Sequence, residues 1–172
     1  MSIRRTPTAP RWRKPQTGAD NTVTPVSRRA KTAPACRFDE ETLAFLARPL
    51  LMRMATLGAD GYPQVTPVWF VQENGCLYAS TEKERIKYRN IMRDPRVGAS
   101  IDDDHPYRGI SIKGVAHIQQ GNIEETVRRI VQRYVPPDEL GALMAWLFKG
   151  PRVVIEIRPI SVVKIGADWH AV

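Results

Sequence analysis

From position 51 onward, apolar and polar residues alternate in short runs separated by turn residues, the pattern of half-buried strands. The runs predict strands over 51–58, 63–72, 76–81, 96–102, 109–120 and 152–165. Asp60-Gly61 and Asn74-Gly75 fall where two tight hairpin turns are needed, and such dipeptides accept the positive φ those turns demand. Along 109–118 the alternation is clean. Ile110, Ile112, Ala116 and Ile118 share one face with Gly114, while Ser111, Lys113, Val115 and His117 share the other. Elsewhere the period is helical. Asp39 is placed to cap a short helix through Ala47 with Leu43, Phe45 and Leu46 inward, and Pro49 ends it. Ile123, Val127, Ile130, Val131 and Tyr134 form one helical stripe; Leu140, Leu143, Met144, Leu147 and Phe148 form a second, with Pro136-Pro137 between them. Six short strands, mostly in hairpin succession, predict a mainly β fold: a small antiparallel barrel with peripheral helices. No internal repeat is visible.

Residues 1–35 carry no such pattern. They contain five prolines, eight basic residues and one acid, Asp20, whereas the remainder contains 18 basic and 17 acidic residues. Seven of the eight formal net positive charges therefore belong to a Pro-, Thr- and Arg-rich arm that is expected to be disordered. The folded domain, 36–172, is nearly neutral. Cys36 and Cys76 lie far apart and show no metal or disulfide spacing, which points to a reduced, cytoplasmic setting. No apolar run reaches the ~20 residues a membrane helix needs, and the first residues lack the apolar core of a secretory signal.

Two neighbouring features suggest chemistry. Pro67 stands inside an otherwise strong strand; proline cannot donate to a ladder, so this strand is an edge or is bulged. A free edge can hydrogen-bond a flat, amide-like heterocycle, although prolines also occur at edges that bind nothing. One hairpin later, Thr81 and Glu84 match a capping box and predict a helix start directly after Ser80-Thr81. Free N–H groups, hydroxyls, and the charges of Arg85 and Lys87 would suit a phosphate. Glu82 and Glu84 could instead satisfy the same helix end.

Together these segments (ATLxxDGxPxVTPVWF, STxxxRxKxRNIxRDPRV and PYRGISIKGxA) resemble the pyridoxamine 5'-phosphate oxidase-like split-barrel superfamily, and within it the flavin/deazaflavin-dependent oxidoreductases. The match is best over 43–120. The resemblance implies a six-stranded antiparallel split β-barrel of the FMN-binding type, forming a homodimer with cofactor sites at the subunit interface. It implies FMN or the deazaflavin coenzyme F-420, with hydride passing between the reduced cofactor and a small unsaturated or quinone-like molecule. Val65, Thr66, Pro67 and Val68 would run along the ring. Ser80, Thr81, Arg85 and Lys87 would hold the phosphate, Asn90 would fix the helix, and Tyr107 and Arg108 would approach the cofactor across the interface. The chain ends GADWHAV, without the Arg- and Trp-rich terminal segment of true pyridoxamine phosphate oxidases, so oxidation of vitamin B6 is not expected.

Other residues favour plainer readings. Asp102-Asp103-Asp104-His105 has no second ligand cluster, and no metal is assigned. His117 is read as exposed, Cys76 as a small core residue, and Trp169 with His170 as a loose end that packs on a cofactor only if the tail folds back. One of Trp69 and Phe70 is expected in the core, the other at the cofactor or the dimer interface. No Ser-His-Asp or Cys-His arrangement is present, as expected where a cofactor supplies the chemistry. Two rivals stand beside this reading: a non-catalytic flavin or haem carrier on the same fold, and nucleic-acid binding through the basic arm.

Overall fold

The computed structural model describes residues 38–104, 107–166 and 169. The arm at 1–35, Cys36, His105 and His170 lie outside them. In chain order the elements are α1 (Glu40–Leu46), β1 (Met52–Leu57), β2 (Pro63–Val68), β3 (Phe70–Glu73), β4 (Cys76–Glu82), α2 (Ile86–Arg93), β5 (Arg96–Asp104), β6 (Tyr107–Gln119), α3 (Glu124–Val131), α4 (Pro137–Leu147) and β7 (Arg152–Gly166). The strands form one antiparallel sheet in the order β2-β1-β5-β6-β7-β4-β3.

The expected strand over 63–72 is two strands. β2 ends at Val68, β3 begins at Phe70, and the pair occupy opposite edges of the sheet. A single residue, Trp69, cannot cross the width of a flat sheet. The sheet therefore curls until its edges meet, giving a split barrel with seven strands rather than six. Tyr134, just past α3, holds this seam. Its ring stacks on Trp69 at 5.0 Å with 3° between the planes. Its hydroxyl accepts from Phe70 N at 3.2 Å and donates to Leu50 O at 2.8 Å.

The barrel core is built from alternate strand positions. Met52, Met54, Phe70, Leu77, Ile101, Ile110, Ile112, Ile155 and Ile157 are essentially sealed from water, and burying each contributes roughly 1.5–3 kcal/mol. The alternation expected over 109–118 holds, with Ser111, Lys113 and His117 exposed opposite a buried row. A second cluster (Ile123, Val127, Val131, Met144 and Val154) fastens α3 and α4 to the outside of the sheet. Leu43 departs from expectation. It is exposed, and Thr42 takes the inward position with Phe45 and Leu46, while Asp39 caps the helix as expected by accepting from Thr42 N at 2.9 Å.

The capping box at Thr81–Glu84 does not form. β4 stays paired with β7 as far as Glu82↔Arg152, so Thr81 is a buried strand residue opposite Val153. A turn, closed by Arg85 N donating to Glu82 O, then delays α2 until Ile86. Its N-cap, Arg85, makes no side-chain capping bond. The Asn74-Gly75 turn matches expectation, with φ of 51° and 78°.

Candidate functional site

Where the seam closes, a cleft of about 290 Å³ opens between the sheet and the helices. Pro67, Val68 and Trp69 line it from the seam, Ser80, Thr81 and Glu82 from the end of β4, and Arg85 and Lys87 from the turn into α2. Ile130, Val131, Trp146 and Leu147 form the helical wall, and Arg152 enters from the start of β7. One wall is thus apolar and aromatic; the other carries three cations and one carboxylate.

Arg152 is far better enclosed than Arg85. Its side chain is only 7% exposed. It donates through Nε to Leu147 O at 3.1 Å and through Nη1 to Ser80 Oγ at 3.2 Å, and Nη2 stands 3.5 Å from Glu82 Oε1. The other oxygen of Glu82 accepts from Arg85 Nε at 3.0 Å. Burial pulls the Arg152 guanidinium below its ordinary pKa; Glu82 opposes this and Arg85 adds to it. Burial also pulls Lys87 down, with Arg85 as the second cause and Glu82 opposing. Both shifts report positive charge that is partly desolvated and under-neutralised, the condition an anion relieves. The donor chemistry, a hydroxyl with two guanidinium groups and an ammonium, fits a phosphate. This fit rests on side chains, since no helix begins at Thr81.

The cleft unites Pro67, Val68, Ser80, Thr81, Arg85 and Lys87 and leaves four expected residues outside its lining. Val65 is exposed on β2 with Thr66 beside it. β2 pairs only with β1 in the sheet, which places Pro67 on an edge as the sequence implied. Tyr107 is exposed at the start of β6. Arg108 turns inward, its guanidinium 5.6 Å from the Phe45 ring and 6.0 Å from that of Trp169, and its buried Nε has no hydrogen-bond partner. Trp169 is not a loose end. It is buried against Phe45 at 5.1 Å and donates Nε1–H to Ile165 O at 3.0 Å, away from the cleft. Of Trp69 and Phe70, Phe70 is core and Trp69 borders the cleft. Asn90 is buried and donates to Thr56 Oγ1 at 3.0 Å, tying α2 to β1.

Asp102 accepts from Arg53 and Asp103 pairs with Arg48, each at 2.5 Å. Among the described residues no cluster of His, Cys, Asp and Glu has metal-binding geometry, and no helix is long and apolar enough to cross a membrane. Sequence reading missed Arg152, Trp146 and Leu147. Only the register of β4 on β7 brings Arg152 beside Ser80 and Glu82.

A curled antiparallel sheet of this kind is the split-barrel fold. Residues 38–165 match the family model described as pyridoxamine 5'-phosphate oxidase, and the chain belongs to that family. An F-420 reductase of known structure is 33% identical, with 76% of this chain and 98% of that one covered and a TM-score of 0.59. A conserved hypothetical protein from Mycobacterium tuberculosis is 25% identical over 81% of this chain and 91% of that one, with a TM-score of 0.66. A FAD-binding protein from Mesorhizobium loti, 21% identical over 72% of this chain and 87% of that one with a TM-score of 0.53, shares the fold.

Proposed function

We propose that this protein is a flavin- or deazaflavin-dependent oxidoreductase, a homodimer that transfers hydride between reduced cofactor and a small unsaturated or quinone-like acceptor. The observation that carries the reading is the cleft: Arg85, Lys87 and Arg152, three cations against the one carboxylate of Glu82, stand with Ser80 opposite an apolar seam at Pro67–Trp69. Likeness to an F-420 reductase along 98% of that chain supports F-420 ahead of FMN.

Ser80, Arg85, Lys87 and Arg152 would hold the phosphate. Pro67 and Val68, with the free edge of β2 through Val65 and Thr66, would lie along the ring. The bound cofactor would supply the hydride chemistry, and no acid or base of the protein is required to carry it. The apolar wall of Trp69, Ile130, Trp146 and Leu147 flanks the cations and would strengthen their hold on an anion once a ligand covers the cleft. The test is fluorescence titration of stripped protein with FMN and with F-420, followed by turnover with quinone acceptors. Binding of one cofactor with acceptor reduction is expected. Failure of both cofactors to bind overturns the reading.

A further inference from the structure

Glu82 is the one acidic residue in the lining of the cleft, and its two oxygens face two different guanidinium groups. Oε2 accepts from Arg85 Nε at 3.0 Å, and Oε1 lies 3.5 Å from Arg152 Nη2. Its side chain is 26% exposed, so water reaches it. The backbone beneath it is fixed, because Glu82 is the last residue of β4 and pairs directly with Arg152 on β7. The contact to Arg152 is at the limit of a hydrogen bond, so that guanidinium is aimed into the cleft but incompletely satisfied.

We propose that Glu82 is a displaceable internal counter-ion: its carboxylate occupies the arginine donors of the cleft and yields them to an incoming phosphate. The idea rests on the cleft being an anion site, as argued above, and adds how the site is kept ready and how it selects. A carboxylate bridging Arg85 and Arg152 holds both forks near their binding positions, which lowers the ordering cost when ligand arrives. It also sets a threshold. A small carboxylate gains little by replacing another carboxylate on the same donors, whereas a phosphate, whose oxygens can also reach Lys87 and Ser80, gains more. Loss of the carboxylate should therefore tighten binding and narrow the gap between phosphate and formate.

The experiment is calorimetric titration of inorganic phosphate, and of formate as the monoanion, into the wild-type chain, Glu82→Gln and Glu84→Gln. Gln keeps the shape of Glu82, and melting curves establish that each variant is folded. Glu84 is exposed and absent from the cleft lining, so its variant makes the same change in net charge without touching the arginines. Expected are at least fivefold tighter phosphate binding by Glu82→Gln, a larger proportional gain for formate, and less than twofold change for Glu84→Gln. Equal gains in both variants would mean a general charge effect and overturn the proposal. Weaker or unchanged binding by Glu82→Gln overturns it while leaving the anion site intact. No phosphate binding by the wild-type chain or by Glu82→Gln overturns the anion site and the counter-ion together.

Discussion

Two charged regions of this barrel treat their cations in opposite ways. Around α1, Lys164 meets Asp39 at 2.9 Å and Glu41 at 2.5 Å, while Arg48 meets Asp103 and Arg53 meets Asp102, each at 2.5 Å. In the cleft, three cations share one carboxylate, Glu82. The same residue type reports the difference. Glu41 and Asp39 push the Lys164 ammonium above its ordinary pKa, whereas burial and Arg85 pull that of Lys87 below. A matched pair is a structural contact and is finished at folding. An under-neutralised, half-buried cation is unfinished until something negative arrives, and that asymmetry separates a site from a scaffold.

The largest expected effect breaks the cleft. Arg85→Ala with Lys87→Ala should weaken cofactor binding at least tenfold, about 1.4 kcal/mol or more, and Arg152→Ala alone should cost about 1.5–3 kcal/mol, both read by titration calorimetry. An unchanged affinity would remove the phosphate assignment. Next is the seam. Tyr134→Phe leaves Phe70 N–H and Leu50 C=O without their hydroxyl partner and should cost about 1–2 kcal/mol in urea unfolding. Smaller again, Lys164→Met on the matched side should cost about 1 kcal/mol or less and leave cofactor affinity within about twofold. If it weakens binding as much as Lys87→Ala, the contrast between the regions fails.

The smallest effect is an acid titration. Asp39 is held at about 2, first by its bond to Thr42 and then by Lys164, against about 3.9 in an unfolded chain. A depressed carboxylate stabilises above its unfolded value, and that contribution fades as pH falls from about 4 through 2. Asn keeps the helix cap but lacks the charge. The stability gap between wild type and Asp39→Asn should therefore be present at pH 5, below about 1 kcal/mol for so exposed a pair, and close near pH 2. A gap that persists there would mean that the pairing is not what separates them.

Much of this could be read along the chain, and the failures share one cause. Strand faces such as Ile110, Ile112 and Ala116 are local in period, and Arg85 and Lys87 sit next to Ser80 in sequence, so both were legible. The break at Trp69 was not, because Val68, Trp69, Phe70 and Val71 continue an apolar run and only the stacking of Tyr134 marks the corner. Thr81 carries the local signature of a cap, yet pairing with Val153 keeps it in a strand. Arg152, 72 residues from Ser80, became a neighbour only through strand register. Trp169 looked terminal and loose until Phe45 gave it a surface.

The single-residue corner at Trp69 has a mechanical consequence. The segment that lines the cleft is also the hinge pin joining the first and last staves of the barrel. A guest wedged between Pro67 and Arg152 would act as a rivet across that joint. Breathing of the barrel and release of the guest then become one motion, so amide exchange at Phe70 and Leu77, which are outside the cleft lining, should slow in step with occupancy.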